Sequence, residues 1–94
     1  MVLSFVVGAY EPHTVAFSFD KFWGKLAITV DSMSVVRETQ IFSINAVNIW
    51  EFWVGFDEKH LVRIEKHRKV FFAGFRPQTI YAFVDDVLVA QHAD

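Results

Sequence analysis

Two short patterns bring together residue types that can move protons or bind metal, Glu11-x-His13 and Glu58-x-His60. On a strand, a spacing of two puts carboxylate and imidazole on one face. A twofold relation between the pairs would then assemble two histidines and two carboxylates, a donor set suited to a divalent metal. The simpler account is that each pair sits where a turn enters a strand and serves local hydrogen bonding. Neither has the helical His-Glu-x-x-His spacing of a zinc hydrolase. His67 and His92 lack such pairing and are expected at the surface. The residues therefore lead to an expectation of no metal and no cofactor.

Nucleophilic chemistry has less support. Ser4, Ser18, Ser32, Ser34 and Ser43 lack a Gly-x-Ser-x-Gly context, and the four glycines of the chain form no phosphate-cradling loop. With no cysteine, disulfides, thiolate catalysis and Cys-ligated zinc are excluded. Asp85-Asp86 reads as a solvated turn, where adjacent side chains diverge, and not as an acid/base pair. No catalytic residue is assigned, and the protein is expected not to be an enzyme.

Two surfaces remain as binding candidates. Six of the nine Lys and Arg lie between residues 59 and 76, as Lys59, Arg63, Lys66, Arg68, Lys69 and Arg76, beside Phe71, Phe72 and Phe75. Basic and aromatic residues interleaved in this way can hold single-stranded nucleic acid by charge and base stacking. Asp57, Glu58 and Glu65 dilute that charge, and Val70 to Phe75 reads more simply as a buried run with solvating flanks. The second surface emerges from an internal repeat.

Residues 5 to 19 recur as 52 to 66, with Phe5/Phe52, Val7/Val54, Gly8/Gly55, Glu11/Glu58, His13/His60 and Val15/Val62 identical at an offset of 47. Equivalent positions face the same way, so the outward Val6, Ala27 and Thr29 have Trp53, Tyr81 and Phe83 as counterparts. If the strands carrying them are neighbours, the second copy presents an aromatic patch suited to a partner or to a second copy of the chain. Arg63 and Glu65 would form its polar rim.

The elements that must position these residues are strands. His13, Val15, Phe17 and Phe19 alternate with Thr14, Ala16 and Ser18, the period of a half-buried strand. Residues 57 to 69 taken alone could pass for a charged helix, but the first copy contains Pro12 and a cleaner alternation, which favours strand. Gly8 to Pro12 and Gly55 to Lys59 read as turns, as do Asp31-Ser32 and Asp85-Asp86. The offset grows from 47 to 54 in the second hairpin, which places an insertion of seven residues between His67 and Gln78. The first copy continues through Val35, Arg37, Thr39, Ile41, Phe42 and Ile44 to a break at Asn45 to Asn48, and Trp23 and Trp50 are expected at hairpin ends.

Ninety-four residues suffice for one core, and 53% hydrophobic content with eleven Phe demands that one be built. The fold expected is an all-β, antiparallel β-sandwich, jelly-roll-like, of about eight strands in two duplicated four-stranded units. It forms a single domain over 1–94, with the repeat at 1–44 and 49–92. A net charge of -2 gives no global pull toward nucleic acid or anionic membrane. The apolar N-terminus lacks a basic leader and a cleavage site, and no apolar run approaches the roughly 18 residues of a membrane span. A soluble, cytoplasmic protein is expected, without membrane contact.

His13-x-Val15-x-Phe17, Gly24-Lys25 before a strand ending Val30-Asp31, Arg37 and Phe42, Phe52-x-Val54-Gly55, and a final turn at Val84-Asp85 and Leu88 follow in an order that resembles the N-terminal domain of the Fas apoptotic inhibitory molecule family. The likeness covers roughly residues 13 to 92. It implies a jelly-roll-like sandwich in non-enzymatic interaction proteins linked to cell survival and to protection against aggregation. The animal proteins carry a second, similar domain, and no active-site motif carries over. The function expected is a non-catalytic interaction or assembly module contacting a partner or itself as a homodimer through Trp53, Tyr81, Phe83, Arg63 and Glu65. The alternative is a small single-stranded nucleic-acid binder using residues 59–76.

Overall fold

A computed structural model describes residues 1–20, 24–39, 47–68 and 78–93. They form eight strands: β1 (Val2–Val7), β2 (His13–Asp20), β3 (Lys25–Val30), β4 (Met33–Thr39), β5 (Val47–Val54), β6 (His60–Arg68), β7 (Gln78–Val84) and β8 (Val87–Ala93). The first four make one antiparallel sheet in the order β1-β2-β3-β4, and the last four make another in the order β5-β6-β7-β8. The expected all-β sandwich of two four-stranded units is therefore present. Within it each unit is a sequential meander, the simpler of the arrangements that this alternation permits.

Alternation in sequence becomes alternation in burial. Val15, Phe17 and Phe19 of β2 are buried, as are Leu26 and Ile28 of β3, and they meet Val62, Ile64, Ile80 and Ala82 of β6 and β7 in one core. Trp50 closes part of that core against Phe17, ring centres 6.1 Å apart. It sits within β5 and not at a hairpin end; Trp23 lies outside the described residues. The break expected at Asn45 to Asn48 also needs correction, because Asn48 is a strand residue opposite Lys66. Pairing along all of β5 supplies the hydrogen bonds that Asn's weak strand preference does not oppose strongly enough to break. Ile41, Phe42, Ile44 and the inserted residues 69–77 lie outside the described residues.

The duplication extends to backbone detail. Two-residue turns close β3–β4 and β7–β8, with Asp31 and Ser32 at φ of 50° and 68° and Asp85 and Asp86 at 50° and 65°. Paired left-handed residues match the twist of a tight hairpin. A register shift follows Ile28 in one sheet and Ala82 in the other, at equivalent positions. Gly8 and Gly55 have φ of 101° and 108°, and a Cβ on either would run into the carbonyl oxygen of the glutamate three residues later in its turn. Only glycine fits there.

Candidate functional site

The Glu-x-His pairs meet at the end of the sandwich where the β1–β2 and β5–β6 turns lie side by side. The Glu58 carboxylate accepts hydrogen bonds from the backbone amides of Ala9 (2.9 Å), Tyr10 (2.7 Å) and Glu11 (3.0 Å) in the first unit. Glu11 reciprocates, accepting from the amides of Phe56 (2.7 Å) and Asp57 (2.8 Å) in the second. Successive N–H groups of a tight turn form an anion-binding concavity, and each unit fills its neighbour's.

Behind each glutamate stands its own histidine. His13 Nε2 lies 2.5 Å from Glu11 and its Nδ1 the same distance from Asp31, whose other oxygen accepts from the Thr14 amide at 2.9 Å. His60 repeats the pattern with Glu58 at 2.7 Å and Asp85 at 2.6 Å, and Asp85 accepts from the Leu61 amide at 3.0 Å. An imidazole facing a carboxylate at each nitrogen satisfies both only by donating twice, which favours the cation. The His13 pKa is accordingly raised, by Glu11 first and then Asp31, and that of His60 by Asp85 first and then Glu58. In return Glu11 falls to about 2, through His13 and then the turn amides, and Glu58 to about 2, through His60 and then its amides.

This arrangement is poor in chemistry and rich in cohesion. In the doubly donating form an imidazole has no lone pair for a metal or a proton. The twofold relation is present, but it brings each carboxylate to backbone amides and not to the opposite imidazole. Among the described residues no His, Asp and Glu cluster is arranged to hold a metal ion. From sequence Asp31 and Asp85 are turn residues only; their recurrence in both copies is the signal that marks them.

Trp53, Tyr81, Phe83, Arg63 and Glu65 all lie on the outer face of the β5–β8 sheet, but not as one patch. Strand β6 runs between β5 and β7, so Glu51, Arg63 and Phe83 form one row and Ile49, Glu65 and Tyr81 the next. The Arg63 guanidinium lies 4.4 Å over the Phe83 ring and is held by Glu65 (2.8 Å) and Asp86 (2.6 Å). His67 meets Tyr81 edge-on at 5.0 Å. Tyr81 and Phe83 are half-buried beneath these charged side chains. Trp53 is 68% exposed on the edge strand, with Ile49 and Val47 exposed along the same face. Tyr10 and Phe56, 95% and 82% exposed at the tips of the two turns, were not foreseen, because turn residues carry no alternation to read.

The described cations of the basic stretch do not share one face. Lys59 is exposed at the turn, Arg63 is paired on the outer face, and Lys66 is buried on the inner one. Lys69, Phe71, Phe72, Phe75 and Arg76 lie outside the described residues, as does the Arg68 side chain. Comparison of the chain with models of known families, with curated proteins and with solved structures finds no match.

Proposed function

We propose that the protein is a non-catalytic interaction or assembly module that contacts a partner, or a second copy of itself, through the outer face of the β5–β8 sheet. The observation that carries this reading is the exposure of Val47, Ile49 and Trp53 on one face of edge strand β5, with Glu51 between the last two. The equivalent row of edge strand β1 is Val2, Ser4 and Val6, whose exposed valines carry no ring, and beside it β2 and β3 present Thr14, Ala16, Ser18, Ala27 and Thr29. Burying a Trp at the centre of a contact supplies affinity. The neighbouring Arg63, already fixed by Glu65 and Asp86, offers an ordered polar rim. The order of sequence landmarks shared with the Fas apoptotic inhibitory molecule family points to the same functional class.

Light scattering coupled to size exclusion tests the reading on the native chain and on Trp53→Ala with Tyr81→Ala. A dimer in the native chain that the double variant loses supports self-assembly through this face. A native monomer that then captures no partner through Trp53 in a binding screen, or a dimer unaffected by the substitutions, overturns it.

A further inference from the structure

The turns β1–β2, β3–β4, β5–β6 and β7–β8 are tied into one block at the end of the sandwich where Glu11 and Glu58 exchange turns. Asp31 of the β3–β4 turn reaches His13, which reaches Glu11, which accepts from amides of the β5–β6 turn. Asp85 of the β7–β8 turn reaches His60, which reaches Glu58, which accepts from amides of the β1–β2 turn. On that block stand four exposed side chains, one for each turn. Tyr10 and Phe56 are 95% and 82% exposed in the two longer turns; Met33 and Val87, the first residues beyond the two tight ones, are 74% and 63% exposed.

Turn positions ordinarily carry Gly, Asn, Asp, Ser or Pro. The duplication shows that this fold does not need the aromatics. At the repeat offset Phe56 corresponds to Ala9 and Tyr10 to Asp57, yet both turns open on a glycine of nearly the same φ and receive the opposite glutamate. Phe56 meets the His13 ring edge-on, centres 6.3 Å apart, but His60 is held by an equivalent pair of carboxylates with only an alanine at the equivalent position. Rings that folding does not use, on turns already ordered, suit a contact surface, because association then has little left to order.

We infer that this end of the sandwich is a second interaction surface, for a protein segment that carries apolar side chains together with Lys or Arg. Its charge selects that occupant. Six carboxylates (Glu11, Asp31, Asp57, Glu58, Asp85 and Asp86) stand here against four cations, which are Lys59, Arg63 and the two imidazoles counted as charged. Two such ends brought together repel, as does an anionic lipid surface, whereas a cationic segment gains from charge and from burial alike. Asp31 and Asp85, half-exposed beyond their histidines, are placed to meet it. Neither Tyr10 nor Phe56 belongs to a strand, so this surface is separate from the outer sheet face around Trp53.

The test titrates the full chain with two labelled peptides of one length, one alternating Leu with Lys and the other Leu with Glu. The Lys peptide should bind at least about tenfold more tightly than the Glu peptide. Tyr10→Ser with Phe56→Ala should weaken that binding at least about tenfold. Tm should hold within a few degrees, since Phe56→Ala installs the residue that the β1–β2 turn already has. Tyr10→Ser alone, at a side chain that touches no core residue, should weaken it about threefold or more. Trp53→Ala should leave it unchanged. Equal affinity for the two peptides, Lys-peptide binding untouched by the tip substitutions, or an equal loss in Trp53→Ala overturns the inference. So does binding to phosphatidylcholine vesicles, or a dimer, that the double variant loses, since the occupant would then be a lipid surface or a second copy.

Discussion

A histidine clamped between two carboxylates links stability to pH in both directions. The folded pKa values of His13 and His60 lie above the ordinary imidazole value near 6.5, so their contribution is fully present below that pH and is lost as pH rises through the raised values. Glu11 and Glu58 are depressed from 4.5 to about 2, so theirs is present above pH 4.5 and is lost as pH falls toward 2. Tm measured against pH is expected to show a maximum between about 4.5 and 6.5, with a decline on either side. In His13→Asn with His60→Asn the alkaline limb should flatten; an unchanged limb would mean that other groups titrate there. Glu58→Gln should lower Tm by several degrees near pH 6. It should also speed hydrogen exchange at Ala9, Tyr10 and Glu11, the amides that the carboxylate accepts from. At this scale the sequence showed that the Glu-x-His pairs mattered to both copies. It did not show that each glutamate serves the other unit's turn, because reach across 47 residues is a property of docking and not of spacing.

Among the elements, the tight hairpins are the most open to improvement. Ser32 holds φ of 68°, a left-handed conformation that costs a side-chain-bearing residue about 1 kcal/mol relative to glycine. Ser32→Gly should therefore stabilise the chain by about 0.5–1 kcal/mol in denaturant titration. Gly55→Ala should do the reverse and cost about 1–3 kcal/mol, since φ of 108° and the Glu58 carbonyl both oppose a Cβ. These turns were legible in sequence from Asp31-Ser32, Asp85-Asp86 and the two glycines. Strand β6 was legible only through its duplicate, because Lys, Glu and Arg at alternate positions conceal a strand that the β2 pattern makes plain. Lys66 illustrates the hazard of reading charge without period. It falls in a basic run, yet by alternation it belongs with Val62 and Ile64 on the inward face.

For the whole molecule, the core shared by both sheets predicts that the two units unfold together. Phe17 is fully buried where β2 meets Trp50 of β5, and Phe17→Ala should cost about 3–5 kcal/mol. The loss should appear in one cooperative transition, with Trp fluorescence of a Trp23→Phe chain, which keeps Trp50 and Trp53 of β5, reporting the second sheet and circular dichroism the entire chain. Separate transitions would show that the sheets are independently stable. Period-two alternation, glycine and aspartate turns and an internal repeat determined by themselves that this chain is all-β, built from two four-stranded units, and which residues face inward, since those are local properties of a pleated strand. Only the tertiary structure decided that β6 separates Trp53 from Tyr81 and Phe83, that Glu11 and Glu58 exchange turns, and that the Lys66 ammonium lies over the Phe19 ring. Each depends on how strands are ordered and sheets stacked, and alternation is the same for every such order.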